Sequence, residues 1–585
     1  MKLKKINVLF FVFYISLLLL FSCDETKKGD NNGGGDDGDI VNMVTDWRDE
    51  IIYFIMTDRF FDGDPNNNIT SYTDKTKINS YHGGDLKGIM DKVDYIKKLG
   101  ATSIWITPVV ANTREDAGNT GYAGYWAWDM SVLDESLAPK GYDATARLNY
   151  YKNFVKTMHD NGILVIQDIV VNHMGNISGW HDSSGKWKWD PPYPATGYTR
   201  VFIEDAAEWN GTENWKDWGN NDKGRRTKPP APFNQLSFYH NSGRQTSDSA
   251  PNVILGDISG LSDLATEKRE VRDALKDIYK KWINAGIDGY RIDTIKHVED
   301  DFWDDFSPAI RTKANNKKFI QFGEALIGDH SQTAKYVQGN RLDSLLNFEL
   351  FFRIKEVFAQ GEATNKLTSE LTSRASLRNT KIGNGGAEIT AREGVVNFID
   401  NHDQNRFMTS ITKTTFKEER MRNALMYLMT TQGIPCIYYN TENNVTGNAT
   451  SGRVDMADFN TDNKPTLELI SQLSKLRKDN IALRRGDITK LKDSTTAGIF
   501  AFGRSYIDTT DSSKNQKLIV ALNTSENPIT ETIDVGSYAS SGDYLFDTFQ
   551  TDQIIKVNDG KITVTIPAFG IYIFEKQQLP PPQNG

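Results

Sequence analysis

The chain has 585 residues, 38% of them hydrophobic and 25% charged, enough to bury cores in two to four domains. Its formal net charge of −9 leaves no basic stripe to neutralise phosphates, which argues against a nucleic-acid partner. Only two cysteines are present, Cys23 and Cys436, so no disulfide framework is expected.

The chain opens on "MKLKK", the apolar run "VLFFVFYISLLLLF" (8–21) and then "SC". The run is shorter than the ~20 residues a bilayer span needs and reads as an export signal. A small residue before Cys23 resembles a bacterial lipobox, with Phe21 departing from the smaller residue usual there. Residues 1–22 are therefore expected to be a lipoprotein signal, with Cys23 carrying a lipid anchor at the cell surface or outer membrane. Without lipidation of Cys23 the protein would be secreted. The following "DETKKGDNNGGGDDGD" (24–39) holds almost nothing apolar, so 23–45 is expected to be a solvated tether.

From residue 51 short apolar runs alternate with amphipathic stretches. The runs are "IIYFIM" (51–56), "SIWITP" (103–108), "LVIQDIV" (164–170), "GYRI" (289–292), "FIQFGEA" (319–325), "SLLNF" (344–348), "VVNFI" (395–399) and "CIYY" (436–439). Near-continuous apolar character marks strands buried on both faces, as in a parallel sheet covered by helices. "LKGIMDKVDYIKKLG" (86–100) and "EKREVRDALKDIYKKWINAG" (267–286) read as helices closed by glycine. The pattern fits an α/β (β/α)₈ TIM barrel. A doubly wound open sheet is the alternative, but no Gly-rich phosphate turn follows the first run.

Two departures set domain limits. The third and fourth runs are separated by Trp-, Gly- and Pro-rich sequence such as "GWHDSSGKWKWDPPYP" and "EWNGTENWKDWGN", far longer than a crossover needs. It reads as an irregular inserted domain B after strand 3 (174–260), with the barrel formed by 46–173 and 261–484. Beyond 485 the spaced strands "GIFAFGRSY", "KLIVALNT" and "KITVTIPAFGIYIFEK" predict a C-terminal antiparallel β-sandwich (485–576), then a tail (577–585).

Catalytic groups of such barrels lie at the C-terminal ends of the strands. Those ends read "DIVVNH" (168–173), "GYRIDTIKH" (289–297), "GEAL" (323–326) and "FIDNHD" (398–403). Any one polar residue there could be structural: Asp168 a helix cap, Arg291 and Asp293 an internal ion pair, His173 a core histidine. Their joint occurrence at one rim is much harder to explain that way.

In order and placement these four segments resemble the signature regions of the α-amylase family, glycoside hydrolase family 13, and "YAGYWAWD" (122–129) resembles the segment carrying its stacking tyrosine. The resemblance covers about 46–575. It implies a retaining α-1,4-glucan endohydrolase acting on starch and maltodextrins, with Asp293 as nucleophile, Glu324 as general acid/base and Asp403 as transition-state stabiliser. Arg291 would keep Asp293 ionised, His173 and His402 would bind the same sugar, Tyr125 would stack beneath it, and Lys296 and His297 would line the product side. It also implies one or two structural calcium ions. One would sit on Asn172, Asp257 and the His297 carbonyl. The other would occupy a loop like that of cyclodextrin glycosyltransferases, with Asp62, Asp64, Asn67, Asn68, the Gly83 carbonyl and Asp85. The expected partners are an α-glucan substrate and the lipid anchor, and the chain is expected to be a monomer.

Ala123 stands where many relatives have a histidine, and "YYNTENNVTGNATSG" (438–452) departs from the family pattern after strand 8. Both loops shape subsites, so a 4-α-glucanotransferase or a cyclodextrin- or pullulan-degrading hydrolase of the same family is the nearest rival. From another class, a starch-capturing lipoprotein without catalysis would have lost Asp293, Glu324 or Asp403; all three are present.

Overall fold

The computed structural model describes residues 44–577 apart from 117, 189, 204–226, 316–317, 378–385 and 550–552. The signal segment, Cys23, most of the tether, the Trp-rich stretch 208–220 and the last tail residues lie outside the described residues.

Eight parallel strands form the centre: β1 (Ile52–Ile55), β2 (Ser103–Ile106), β3 (Leu164–Ile169), β4 (Gly289–Ile292), β5 (Ile320–Gly323), β6 (Ser344–Leu345), β7 (Val396–Asn397) and β8 (Ile434–Tyr438). They pair in the order β6-β5-β4-β3-β2-β1-β8-β7, and a parallel bridge between Leu346 and Val396 joins the two ends into a barrel. All their residues are buried, which is why the runs carry no polar alternation. Cys436 is a buried free thiol on β8.

Helices cover the outside. α1 (Ala144–Asp160) begins where the Asp143 carboxylate accepts from Ala146 N at 2.8 Å, which satisfies one of the free donors of its first turn. α2 (Arg269–Ile283) buries Val271, Leu275, Ile278, Tyr279 and Trp282, an i, i+4, i+7 stripe, and the chain turns at Gly286 with φ +99°. α3 (Asp300–Ala314) follows β4. The helix expected over 86–100 is instead two, Leu86–Asp91 and Val93–Lys98, broken at Lys92 (φ −112°, ψ 16°). The break sets the Lys92 ammonium over the Phe61 and Phe459 rings at 4.0 and 4.6 Å, a contact between distant segments that a periodicity count does not contain.

The long segment after β3 leaves and rejoins the barrel through an antiparallel pair, His173–Met174 against Ser262–Asp263. Between them a small sheet pairs Ser178–Asp182 with Trp187–Lys188 and Tyr198–Phe202. After the last barrel helices come a six-stranded antiparallel sheet and a two-stranded one. In the strand Ile499–Tyr506, Phe500 and Phe502 join the barrel core while Ile499 and Ala501 face the second sheet. That is the period-two alternation of a strand buried on both sides.

Candidate active site

Strand register assembles the rim. Arg291 on β4 pairs with Asp168 on β3 and with Phe322 on β5, and Asp293 and Glu324 follow one residue beyond the ends of β4 and β5. The backbone holds both ends: Asp293 N donates to Ile169 O at 2.9 Å and Glu324 N to Ile292 O at 2.8 Å.

One buried guanidinium then ties three carboxylates together. Arg291 Nη1 donates to Asp168 Oδ1 at 2.9 Å and to Asp293 Oδ1 at 2.7 Å, and Nη2 donates to Glu324 Oε2 at 2.5 Å. Asp168 also accepts from Trp105 Nε1 at 2.9 Å and Tyr125 Oη at 2.8 Å. It is a hub of the site rather than a helix cap, and its strand-end position was the only hint in the sequence.

One cation cannot neutralise that many acids. Burial pushes Glu324 above the usual carboxylate range; Arg291 opposes this, while Asp293 and Asp403 reinforce it. Burial also raises Asp293, less so, with Arg291 pulling it back. Of the two, Glu324 is raised further, so it is the group that keeps a proton more readily. The surroundings thus push the two neighbouring carboxyls apart in acidity.

The other predicted residues surround this pair. Tyr125 and His402 stack with ring centroids 5.2 Å apart. His173 Nε2 lies 3.2 Å from the Tyr125 carbonyl, and His402 Nε2 lies 3.2 Å from Asp403 Oδ2. Burial drives the pKa of His173 down to about 4 and of His402 to about 3, so both are neutral hydrogen-bonding groups. Asp403 stands at the mouth with its side chain 41% exposed. Lys296 reaches Asp248 of the inserted segment at 3.2 Å, and His297 Nδ1 lies 2.9 Å from Val253 O. Asp293, Glu324, Asp403, Tyr125, His173, His402, Lys296 and His297 line a cavity of about 600 Å³, closed on one side by Ile258 and Ser259 of the inserted segment.

Sequence reading missed Arg453. From the loop after β8 it donates to Asp403 Oδ1 at 2.7 Å, to the His402 carbonyl at 2.7 Å and to Tyr122 Oη at 3.3 Å. Its signal was a lone arginine in an Asn-, Thr- and Gly-rich loop.

Two places offer oxygen atoms to a hard cation. In the loop 62–68, Asp62 Oδ1, Asn67 Oδ1 and Asn68 Oδ1 are buried without a partner among the described residues. Asp85 lies beside them, accepting from Asn67 Nδ2 at 2.9 Å, and the Asn68 carboxamide packs against Gly83, whose φ of +92° favours glycine. These are the predicted residues, and their orphaned oxygens fit calcium, which takes six to eight oxygen ligands. Asp64 is in the same loop, its N–H on Asp85 at 3.0 Å.

The second place corrects the sequence reading. Asp257 is already engaged: both its oxygens accept from Arg200 Nη2, at 2.5 and 2.6 Å, so its charge is compensated. The acidic residue whose backbone runs alongside Asn172 is Asp263, which pairs with His173 in the antiparallel pair and whose neighbour Leu264 donates to Asn172 O. Asp263 Oδ1 is buried and without a partner among the described residues.

The family described as the alpha amylase catalytic domain matches residues 54–518. An alpha-amylase of Streptomyces lividans is 31% identical over 550 residues, which cover 86% of this chain and 57% of that protein. A cyclomaltodextrin glucanotransferase of Klebsiella oxytoca is 30% identical over 532 residues, covering 82% of this chain and 71% of that one. The crystal structure of an Anoxybacillus alpha-amylase superposes with a TM-score of 0.69 at 28% identity, covering 91% of this chain and 99% of that one. The chain spans little more than half the length of the Streptomyces relative.

Proposed function

The chain belongs to the α-amylase family of glycoside hydrolases, and from that premise we propose that it is a retaining α-1,4-glucan endohydrolase acting on starch and maltodextrins. The observation that carries this is the carboxyl pair Asp293 and Glu324, both gripped by Arg291 at the wall of one cavity. One guanidinium bonding both carboxyls holds them side by side, the arrangement that retention uses, with roughly 5–5.5 Å between the two groups.

Asp293 Oδ attacks the anomeric carbon while Glu324 protonates the glycosidic oxygen, so that bond breaks and a covalent glycosyl ester forms. Glu324, now a carboxylate, takes a proton from water; the hydroxide attacks the same carbon and frees Asp293. Asp403, held by Arg453, would bind hydroxyls of the distorted sugar, with Tyr125 beneath it and neutral His173 and His402 donating to it. Relatives include both hydrolases and glucanotransferases, and the first half-reaction serves either. Products from amylose and cyclodextrin, analysed by chromatography with the anomer read by NMR, test the reading: α-anomeric linear maltodextrins are expected. Cyclic products in quantity would move the assignment to a transferase, and β-anomers would overturn retention.

The same reading includes two structural calcium ions. One would be held by Asp62, Asp64, Asn67, Asn68, the Gly83 carbonyl and Asp85, the other by Asn172, Asp263 and the His297 carbonyl. Their role would be to pin the first loop and the inserted segment to the barrel. It also includes export and lipidation at Cys23, supported by the leader and lipobox-like sequence. Labelled palmitate incorporation, lost in Cys23→Ala, is the test.

A further inference from the structure

We propose that His240, Glu267 and Glu299 form a binding site for a zinc-type divalent metal, distinct from the calcium positions, at the seam between the inserted segment and the barrel. The three residues come from the inserted segment, from the turn before α2 and from the N-cap of α3. One potential ligand atom from each lies within 4.8 Å of the other two.

The orientation of the imidazole is the stronger argument. His240 Nδ1 lies 2.6 Å from Asp263 Oδ2, and His240 Nε2 lies 2.9 Å from Glu267 Oε2. The ring is thus clamped with Nε2 aimed at the glutamates and Nδ1–H given to a buried carboxylate. Metal-ligating histidines are generally oriented this way, by a carboxylate on the far nitrogen. Glu299 is itself oriented, accepting from Thr266 Oγ1 at 2.5 Å. A tetrahedral zinc shell needs ligand atoms roughly 3.3 Å apart, within reach of small side-chain rotations here.

The donor set selects the metal class. One imidazole nitrogen and two carboxylates suit zinc or its neighbours, whereas calcium favours an all-oxygen shell. The Glu267 side chain is 43% exposed, so an ion can enter and keep a water as fourth ligand. Asp263 holds His240 through one oxygen, and its other oxygen is buried without a partner among the described residues. A metal here would fasten three segments of the chain to one another.

The test uses the full chain saturated with excess Ca²⁺, so that oxygen-only sites are filled, and titrates Zn²⁺ by calorimetry. Co²⁺ is added separately as a spectroscopic probe. Expected are a saturable Zn²⁺ site, a visible Co²⁺ spectrum of the four-coordinate type, and a rise in melting temperature with Zn²⁺. Glu299→Gln and Glu267→Gln, which keep size and hydrogen bonding, should each weaken Zn²⁺ binding at least tenfold and remove the thermal response. Failure of the wild type to bind Zn²⁺ over Ca²⁺, or equal binding by both variants, overturns the site and leaves a purely ionic histidine–carboxylate cluster. The readout is binding, so this outcome is independent of the glucan-hydrolase reading.

Discussion

Two buried glutamates in this barrel meet one arginine each and end in opposite states. Glu370 is fully buried and Glu324 is 8% exposed, yet the first is pulled down to about 2 and the second pushed up to about 8. Burial works against ionisation of both. At Glu370 it is overcome: Arg374 grips both oxygens at 2.9 and 2.8 Å, and His330 and Asn347 add bonds at 3.0 and 3.1 Å. At Glu324 the single Arg291 is divided among Asp168, Asp293 and Glu324, and the repulsion of Asp293 and Asp403 remains. A closed cluster with matched partners is structural. An under-neutralised one opening onto a cavity holds a proton ready for transfer.

The largest effect expected from breaking this contrast is at the open cluster. Asp293→Asn should lower kcat by roughly ten-thousandfold or more, since the covalent route is lost. Glu324→Gln should cost about 10²–10⁴-fold while starch binding persists. Reducing-sugar release and starch-affinity electrophoresis measure both, and a loss of only a few-fold in Glu324→Gln would mean another group is the acid.

The closed cluster should fail in the opposite currency. Glu370→Gln leaves the Arg374 guanidinium buried without its counter-charge and should destabilise the fold by about 3–5 kcal/mol. Turnover per folded molecule should be unchanged. Denaturant melts beside kcat check this, and a catalytic loss without a stability loss would erase the distinction drawn between the clusters.

Arg453→Met sharpens the comparison, because it removes a charged hydrogen bond from Asp403 without touching the acid pair. Such a bond is worth about 1.5–3 kcal/mol, so kcat/KM should fall about ten- to a hundredfold. The midpoints of the pH profile should move little.

The pH dependence separates the clusters in solution. Activity should fall below about 6, as Asp293 takes up a proton, and above about 8, as Glu324 loses its own. Glu370 has a lowered folded pKa, so its stabilisation is fully present above the ordinary value of 4.5 and is lost as pH falls towards about 2. Acid inactivation near 6 should therefore be reversible, with circular dichroism unchanged, and acid unfolding should come later. The smallest effect is expected from chelation: EDTA should lower the melting temperature by a few degrees, and Asn68→Ala should remove part of that response. Identical melting with and without chelator would remove the calcium reading.

The sequence by itself determined the parallel barrel and the residues at its rim. Parallel strands buried on both faces must be apolar along their length, so Asp168, Arg291, Asp293, Glu324 and Asp403 stand out where those runs end, and barrel closure brings such ends together. It also marked the loop 62–68, because an oxygen-rich run followed by "GGD" is local in the chain. Only the tertiary structure decided which charges pair. Asp257 and Asp263 lie six positions apart in one polar stretch, and their fates were set by Arg200 and His240 packing against them from elsewhere. Arg453 reaches Asp403 across fifty residues, and Arg291 is shared among acids from neighbouring strands. Electrostatic energy depends on distance in space and on what else has been excluded from water, and neither quantity is written in the order of the residues.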